Sequence, residues 1–375
     1  MSQKVSDQTP YPFSYRDWEE LAKQRLGPGP FGYIQSGSGN QVTLRHNEQA
    51  FENWTLIPRV LADVSVRDTT TELFNQQLES PFLLAPVGFQ AIVHPEGERA
   101  SARSARLNRV PYIASTVSSA SIEEIAMIME DVPCYFQLYW PNDDQLAASF
   151  IQRAEQAGYA GIVVTVDTPF LGWREVDLTH QYFPMQSGAG IANFLTDPVF
   201  QDKYNPEGLL NEAELIKAIQ AILFKQNLTW NHIAWLREQT DLPIILKGIT
   251  HVEDAKKAVN EQVDGLIVSN HGGRQLDGVI TGLDALPAIA EVVGNQLTLL
   301  VDGGIRRATD ILKAFALGAD AVLLGRPYVY GLIEGEAGVT AVLERLKKDL
   351  DVGLAIAGVQ SIQQLNRQYI KRIDH

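Results

Sequence analysis

The sequence predicts an α/β protein built as a single (β/α)8 TIM barrel, on three observations. Short β-branched runs alternate with longer stretches of helical period, eight such runs occur, and 375 residues of 45% hydrophobic content supply one large core. The runs are Phe82 to Val87, Tyr112 to Thr116, Cys134 to Tyr139, Gly161 to Asp167, Pro243 to Gly248, Gly265 to Asn270, Thr298 to Gly304 and Ala321 to Arg326. A doubly wound sheet also alternates strand with helix, but strand count and chain length favour a closed barrel.

Between the runs, Leu146, Phe150, Ile151, Ala154 and Ala157 fall on one helical face opened by Asp143 and Asp144 and stopped by Gly158; Val252, Ala255, Ala258 and Val259 repeat the pattern. These stripes read as core. Two stretches stand outside the repeat. Residues 1–80 hold a helix from Tyr15 to Leu26, a Gly27-Pro28-Gly29-Pro30 break and the segment Tyr33-Ile34-Gln35-Ser36-Gly37-Ser38-Gly39, and are expected to cap a barrel spanning 81–360. Residues 178–228 separate the fourth run from its helix by more than forty residues rich in aromatic, glycine and proline positions. A connection that long after a strand reads as a lid over the C-terminal face, where barrels keep their chemistry.

Composition excludes several function classes. A formal charge of −14, from 45 acidic against 31 basic residues, argues against nucleic acid or an anionic membrane as partner. No apolar stretch approaches the roughly 20 residues of a membrane span. Met1-Ser2-Gln3-Lys4 leads into no signal-peptide core, and Arg372-Ile373-Asp374-His375 matches no targeting address, so a cytoplasmic location is expected. Cys134, the only cysteine, lies in an apolar run and reads as a buried, inert thiol compatible with a reducing compartment. No dinucleotide fingerprint, P-loop or metal-ligand spacing occurs, so no metal is expected. His94 and His251 stand beside turn or helix-start residues and read as caps or solvated groups.

Chemistry concentrates at the strand ends. Alternate strand residues share a side, so Gln137 with Tyr139, Thr165 with Asp167, and Ser269 with His271 project together, and Lys247 closes its apolar run in the same way. In Ser269-Asn270-His271-Gly272-Gly273-Arg274 a histidine stands three residues from an arginine across two glycines. A general base beside an anion-binding cation is what reaction at the α-carbon of a carboxylate needs. After the seventh and eighth runs, Asp302-Gly303-Gly304-Ile305-Arg306 and Gly325-Arg326-Pro327 offer backbone N–H groups and arginines where barrels commonly seat a phosphate.

These motifs together resemble the FMN-dependent L-2-hydroxy acid oxidase family, and the resemblance runs from Tyr15 to Gln364. It is carried by Tyr33 to Gly37, Ala85-Pro86-Val87-Gly88, His94-Pro95-Glu96-Gly97-Glu98, Phe136-Gln137-Leu138-Tyr139, Thr165-Val166-Asp167-Thr168-Pro169, Leu171-Gly172-Trp173-Arg174-Glu175, Leu246-Lys247-Gly248, the His271 segment, Asp302-Gly303-Gly304 and Gly325-Arg326-Pro327. It implies FMN as cofactor. Pro86, Val87, Gly88, Ser115, Gln137, Thr165, Lys247 and Ser269 would hold it at the ring, and Asp302, Gly303, Gly304, Arg306, Gly325 and Arg326 toward the phosphate. His271 would be the general base, oriented by Asp167. Arg274, Arg174 and Tyr33 would clamp the substrate carboxylate, and Tyr139 would bond its hydroxyl. The family usually forms homotetramers or larger rings such as octamers.

Departures from the commonest family pattern point to the lactate oxidase and lactate 2-monooxygenase branch. Val117 stands where glycolate-preferring relatives carry tryptophan, which leaves room for a methyl group and predicts L-lactate over glycolate. Gly88 replaces a frequent alanine, and Asn193 to Gln201 looks most like the monooxygenase branch, whose products are acetate, CO2 and water rather than the 2-oxo acid and H2O2. Three other readings stay open: a dehydrogenase that does not use O2, a barrel isomerase or aldolase with Lys247 as amine nucleophile, and a flavin-binding barrel without catalysis.

Overall fold

The protein, seen here as a computed structural model, is described over residues 11–373; the polar start at Met1-Ser2-Gln3-Lys4 and the final Asp374 and His375 lie outside that range. Three strands precede the barrel: β1 (Trp54–Leu56), β2 (Thr71–Leu73) and β3 (Gln76–Leu78). The barrel strands are β4 (Phe82–Leu84), β5 (Tyr112–Ser115), β6 (Cys134–Leu138), β7 (Gly161–Thr165), β8 (Ile244–Ile249), β9 (Gly265–Val268), β10 (Thr298–Val301) and β11 (Ala321–Leu324). All eight are parallel, each pairs with its neighbour in sequence, and β11 pairs with β4 to close the ring. β12 (Ile370–Arg372) returns to pair antiparallel with β1.

Period-two alternation divides each strand between two cores. Leu83, Ile113, Tyr135, Val163, Ile245, Ile267, Leu300 and Leu323 fill the interior. Their neighbours Leu84, Ala114, Phe136, Val164, Leu246, Leu266 and Val301 face the surrounding helices. Each large buried aliphatic side chain contributes about 1.5–3 kcal/mol. The helix Asp144–Gln156 shows the pairing from the other side: Asp143 caps it through the amides of Gln145 and Leu146, and Leu146, Phe150, Ile151 and Ala154 are buried.

Residues 11–80 reach both ends of the barrel. Phe74 and Asn75, both at positive φ, form the two-residue turn of the β2–β3 hairpin. That hairpin buries Leu73 and Leu78 on the interior core, and the Phe74 ring meets Tyr135 at 6.0 Å, so it plugs the N-terminal end. At the opposite end the helix Pro28–Gln35 begins in the sequence expected to be a break, because proline at the first helical position lacks only an N–H that would have no partner. The expected long connection is also more ordered than its composition suggested. It contains helices at Glu175–His180, Ala192–Leu195, Pro198–Tyr204 and Glu212–Ile222.

Candidate active site

One step beyond the interior apolar layer, the same alternation produces a polar ring. Ser115, Gln137, Thr165, Lys247, Ser269 and Asp302 each stand two residues after an interior side chain, on six successive strands or their ends. They are buried and joined. Ser115 Oγ donates to Gln137 Oε1 (3.2 Å) and Gln137 Nε2 to Thr165 Oγ1 (3.0 Å). On the other side Lys247 Nζ donates to Ser269 Oγ (3.0 Å), Ser269 Oγ to Asp302 Oδ1 (2.6 Å), and Lys247 pairs with Asp302 Oδ2 at 3.2 Å.

A bulge in β8 sets this geometry. Lys247 pairs with Ile267 and Ile249 with Val268, leaving Gly248 as the extra residue at φ +110°. A Cβ at Gly248 would stand 2.6 Å from Asp167 Cβ. Glycine here is what lets Asp167 sit behind His271, a role the sequence reading did not assign.

His271 itself has φ +61°, followed by Gly272 at +62° and Gly273 at +76°. Two glycines make that turn accessible, and a β-carbon at Gly273 would meet the Leu44 amide nitrogen at 2.6 Å. The turn brings His271 Nδ1 within 2.9 Å of Asp167 Oδ1 and 3.3 Å of Thr168 Oγ1, and Nε2 within 3.3 Å of the Tyr139 hydroxyl. Burial holds the imidazole below its ordinary pKa, with Asp167 opposing and Lys247 reinforcing the shift. Burial alone would raise Asp167, but the His271 and Lys247 charges and hydrogen bonds from His271 and Thr168 bring it below the usual carboxylate value. The result is a neutral base with an ionised partner. Burial, then Tyr33 and Asp167, raises Tyr139, which stays a phenol able to donate.

Beside the histidine two guanidinium groups crowd together. Arg174 Nε donates to Arg274 O at 3.2 Å, Arg274 Nη1 donates to Ser36 O at 2.8 Å, and the Tyr33 ring lies 4.7 Å below the Arg274 guanidinium and 6.0 Å from that of Arg174. Burial and then the Arg174 and Arg326 charges lower Arg274 to about 10, opposed by Tyr33 and by Asp177 at 4.0 Å. A buried cation pair so weakly neutralised favours an anion between or beside the two groups.

A cavity of about 690 Å3, within the range for a cofactor site, is lined by most of these groups; Ser115, Gln137 and Ser269, expected at the cofactor, do not line it and instead hydrogen-bond within the polar ring. Its lining includes Pro86, Val87, Gly88, Thr165 and Lys247, the His271 and Arg274 cluster, and Gly303, Gly304, Arg306, Gly325 and Arg326 beyond β10 and β11. The loop bearing Pro86 to Gly88 is fastened from behind by two residues the sequence reading passed over: Gln90 Nε2 donates to Val87 O, and the Tyr328 hydroxyl to Ala85 O. Arg306 Nη1 donates to Ile305 O and Nη2 pairs with Glu48 Oε1 at 3.1 Å, while its buried Nε keeps no partner and is an orphan donor suited to an anion. Arg326 is engaged at all three nitrogens. Its Nε, Nη1 and Nη2 donate to Ile34 O, Gly272 O and Ser36 O, so the side chain ties the Tyr33 segment to the His271 turn and leaves two of five N–H groups for a phosphate.

Other expectations fall outside the cavity. His251 caps its helix by accepting from the Glu253 amide, His94 accepts from the Glu96 amide, and Cys134 is buried. The lid contributes Leu178, Phe183, Pro184, Met185, Gln220, Ala221, Leu223, Phe224 and Gln226, whereas Asn193 to Gln201 does not line the cavity. Instead Asn193 Nδ2 donates to Ser115 O and Thr116 O, fastening that stretch to the strand wall.

A closed barrel with a base, a cation pair and a cofactor-sized, largely apolar cavity carrying a few convergent polar groups at its C-terminal face fits an oxidoreductase of the flavin-dependent barrel class. Comparison with known proteins gives the class its family. The profile of the FMN-dependent dehydrogenase family matches residues 22–372. An L-lactate oxidase of Lysinibacillus sphaericus (strain C3-41) is 45% identical over 96% of this chain and 93% of its own length, and one of Nostoc sp. is 40% identical over 96% and 98%. The mouse 2-hydroxyacid oxidase 1 is 37% identical over 95% of each chain. A crystal structure of mandelate oxidase superposes with a TM-score of 0.86 at 37% identity, covering 96% of this chain and 99% of the other. The chain belongs to the FMN-dependent dehydrogenase family, and FMN is its cofactor.

Proposed function

We propose that the protein oxidises L-lactate, or a similarly short L-2-hydroxy acid, with O2 to the 2-oxo acid and hydrogen peroxide. The observation that carries this reading is the crowded Arg174–Arg274 pair beside a neutral, carboxylate-backed histidine. Arg274, Arg174 and Tyr33 bind the substrate carboxylate and fix its orientation. Tyr139 donates to the hydroxyl oxygen, and His271 Nε2 takes the proton released as the alcohol becomes a ketone. Asp167, bonded to Nδ1, stabilises the imidazolium so formed.

FMN, when bound, accepts the electron pair of the alcohol and passes it to O2. Pro86, Val87, Gly88, Thr165 and Lys247 would hold its ring, with Ser115, Gln137 and Ser269 supporting them through the polar ring; Lys247 would stabilise negative charge, and Asp302 keeps that lysine in place. Gly303, Gly304, Arg306, Gly325 and Arg326 would hold its phosphate, Arg306 through its unpartnered Nε.

Val117, buried and lining the cavity, leaves space for the methyl of lactate. A second outcome, conversion to acetate, CO2 and water, is favoured by the lid over the cavity and by the Asn193 to Gln201 resemblance. The deciding experiment incubates the purified protein with L-lactate and air and assays pyruvate, peroxide and acetate together. Pyruvate with equal peroxide supports the oxidase reading, acetate in step with oxygen uptake replaces it by the monooxygenase route, and no flavin reduction by any L-2-hydroxy acid overturns both.

The acidity and the buried thiol of Cys134 are compatible with a cytoplasmic homotetramer or octamer that engages neither nucleic acid nor membrane. Self-assembly has support in an exposed apolar band formed by Val60, Leu61, Val66, Val352 and Ile356.

A further inference from the structure

A second cavity of about 500 Å3 adjoins the first behind the lid. Buried Trp140, Ile233, Leu246 and Ile249 give it an apolar floor, and exposed Thr229 and Asp254 stand at its mouth. Tyr139, Thr165, Pro169, Phe224 and Gln226 line both cavities. The two spaces therefore share a wall that includes Tyr139, whose hydroxyl faces His271.

Phe224 is the large apolar side chain in that shared wall that belongs to the lid. Its ring stands edge-on to Tyr139, with centroids 5.2 Å apart at 79°. The backbone on both sides is pinned to the segment after β6: Asn142 N donates to Ile222 O (2.6 Å) and Lys225 N to Trp140 O (2.8 Å). Lys225 Nζ is paired with Asp144 at 3.1 Å, so the one lysine in the second cavity's wall is already neutralised. Removing the ring would join the cavities while those backbone bonds keep the loop in place.

We propose that the second cavity is a latent subsite for the apolar tail of longer L-2-hydroxy acids, and that Phe224 sets chain-length specificity by keeping it shut. The proposal rests on the 2-hydroxy acid reading above. A 2-hydroxy acid anchored through its carboxylate and hydroxyl has one substituent free to extend. An apolar floor adjoining the residue that faces the hydroxyl would gain from every methylene it shields from water.

The test compares L-lactate with L-2-hydroxyoctanoate as substrates of the wild-type holoenzyme, Phe224→Ala, Phe224→Leu and the double variant Phe224→Ala/Leu228→Trp. Leu228 lines only the second cavity, so tryptophan there refills that space and leaves the first enlarged. Phe224→Ala should raise the 2-hydroxyoctanoate-to-lactate ratio of kcat/KM by at least about tenfold. Phe224→Leu should give a smaller rise, and the double variant should lose the gain. Titration calorimetry with 2-oxooctanoate and pyruvate should show the same order in Kd, without reliance on turnover. No gain in the alanine variant, or a gain that survives Leu228→Trp, overturns the subsite. Wild-type protein inert toward every 2-hydroxy acid would overturn the functional reading, and the calorimetric order would still decide the subsite.

Discussion

His271 is held neutral by burial and kept basic by Asp167, and this balance fixes the sign of a pH effect. A general base works deprotonated, so its contribution is present above its pKa and is lost as pH falls through it. Because burial lowers that pKa, the acid limb of the anaerobic flavin-reduction rate should lie below the ordinary imidazole value of about 6.5. Asp167→Asn removes the charge that opposes the shift, so it should move the limb lower still and slow reduction; a limb that moves upward would contradict this electrostatic account. His271→Ala should cut the rate by about 10²–10⁴ with flavin still bound. For Lys247→Met, the loss of the cation leaves Asp302 buried without its ion pair, so both FMN affinity and Tm should fall. Unchanged FMN retention would remove Lys247 from the proposed ring contacts. The direction of Gln137, Thr165, Lys247 and Ser269 into one polar ring was legible because strand alternation dictates it, although only Thr165 and Lys247 of the four line the cavity. The engagement of Arg326 was not legible, because its carbonyl partners at Ile34 and Ser36 lie some 290 positions away in sequence.

Secondary elements were legible in type and order because their hydrophobic periods are strong. Each barrel strand starts within one residue of its run, and seven of the eight end inside it, with β8 extending to Ile249 one position past the expected Gly248. That extra position belongs to the bulge, which periodicity does not encode. Gly248→Ala tests it at the scale of the element. The variant would strain a residue at φ +110° and press a methyl group on Asp167, costing about 1–2 kcal/mol of stability. A displaced Asp167 should lower the flavin-reduction rate by about 10²-fold, since small misplacements of a positioning group are expensive. A variant with reduced Tm but a native reduction rate would show that the bulge shapes the strand and not the base. The lid was read from its length, but helices within it were not: Pro198–Tyr204, for example, is short and is stabilised by tertiary contacts, Asp197 capping it while also accepting from Ser149 and Arg153.

Over the whole molecule, closure of the barrel follows from local rules, but the proposed association between copies would depend on a surface that no motif announces. Arg59 N donates to Ala357 O, and Arg67 pairs with Asp351 at 2.7 Å, so the segment after β1 lies along the end of the helix Gly335–Ala357. That packing leaves Val60, Leu61, Val66, Val352 and Ile356 more than half exposed, with Leu61 held outward at φ +59°. A charge of −14 disfavours contact between copies at long range, so an interface between them needs apolar burial of this kind near its centre. If the band is that interface, Leu61→Glu with Ile356→Glu should place like charges in it and convert the assembly to smaller species by sedimentation velocity. Neither residue lines the active cavity, so the dissociated form should retain FMN and reduce it with L-lactate. A variant that keeps the wild-type sedimentation coefficient would show that assembly uses another face, and one that dissociates and loses FMN would show that the site depends on the assembly.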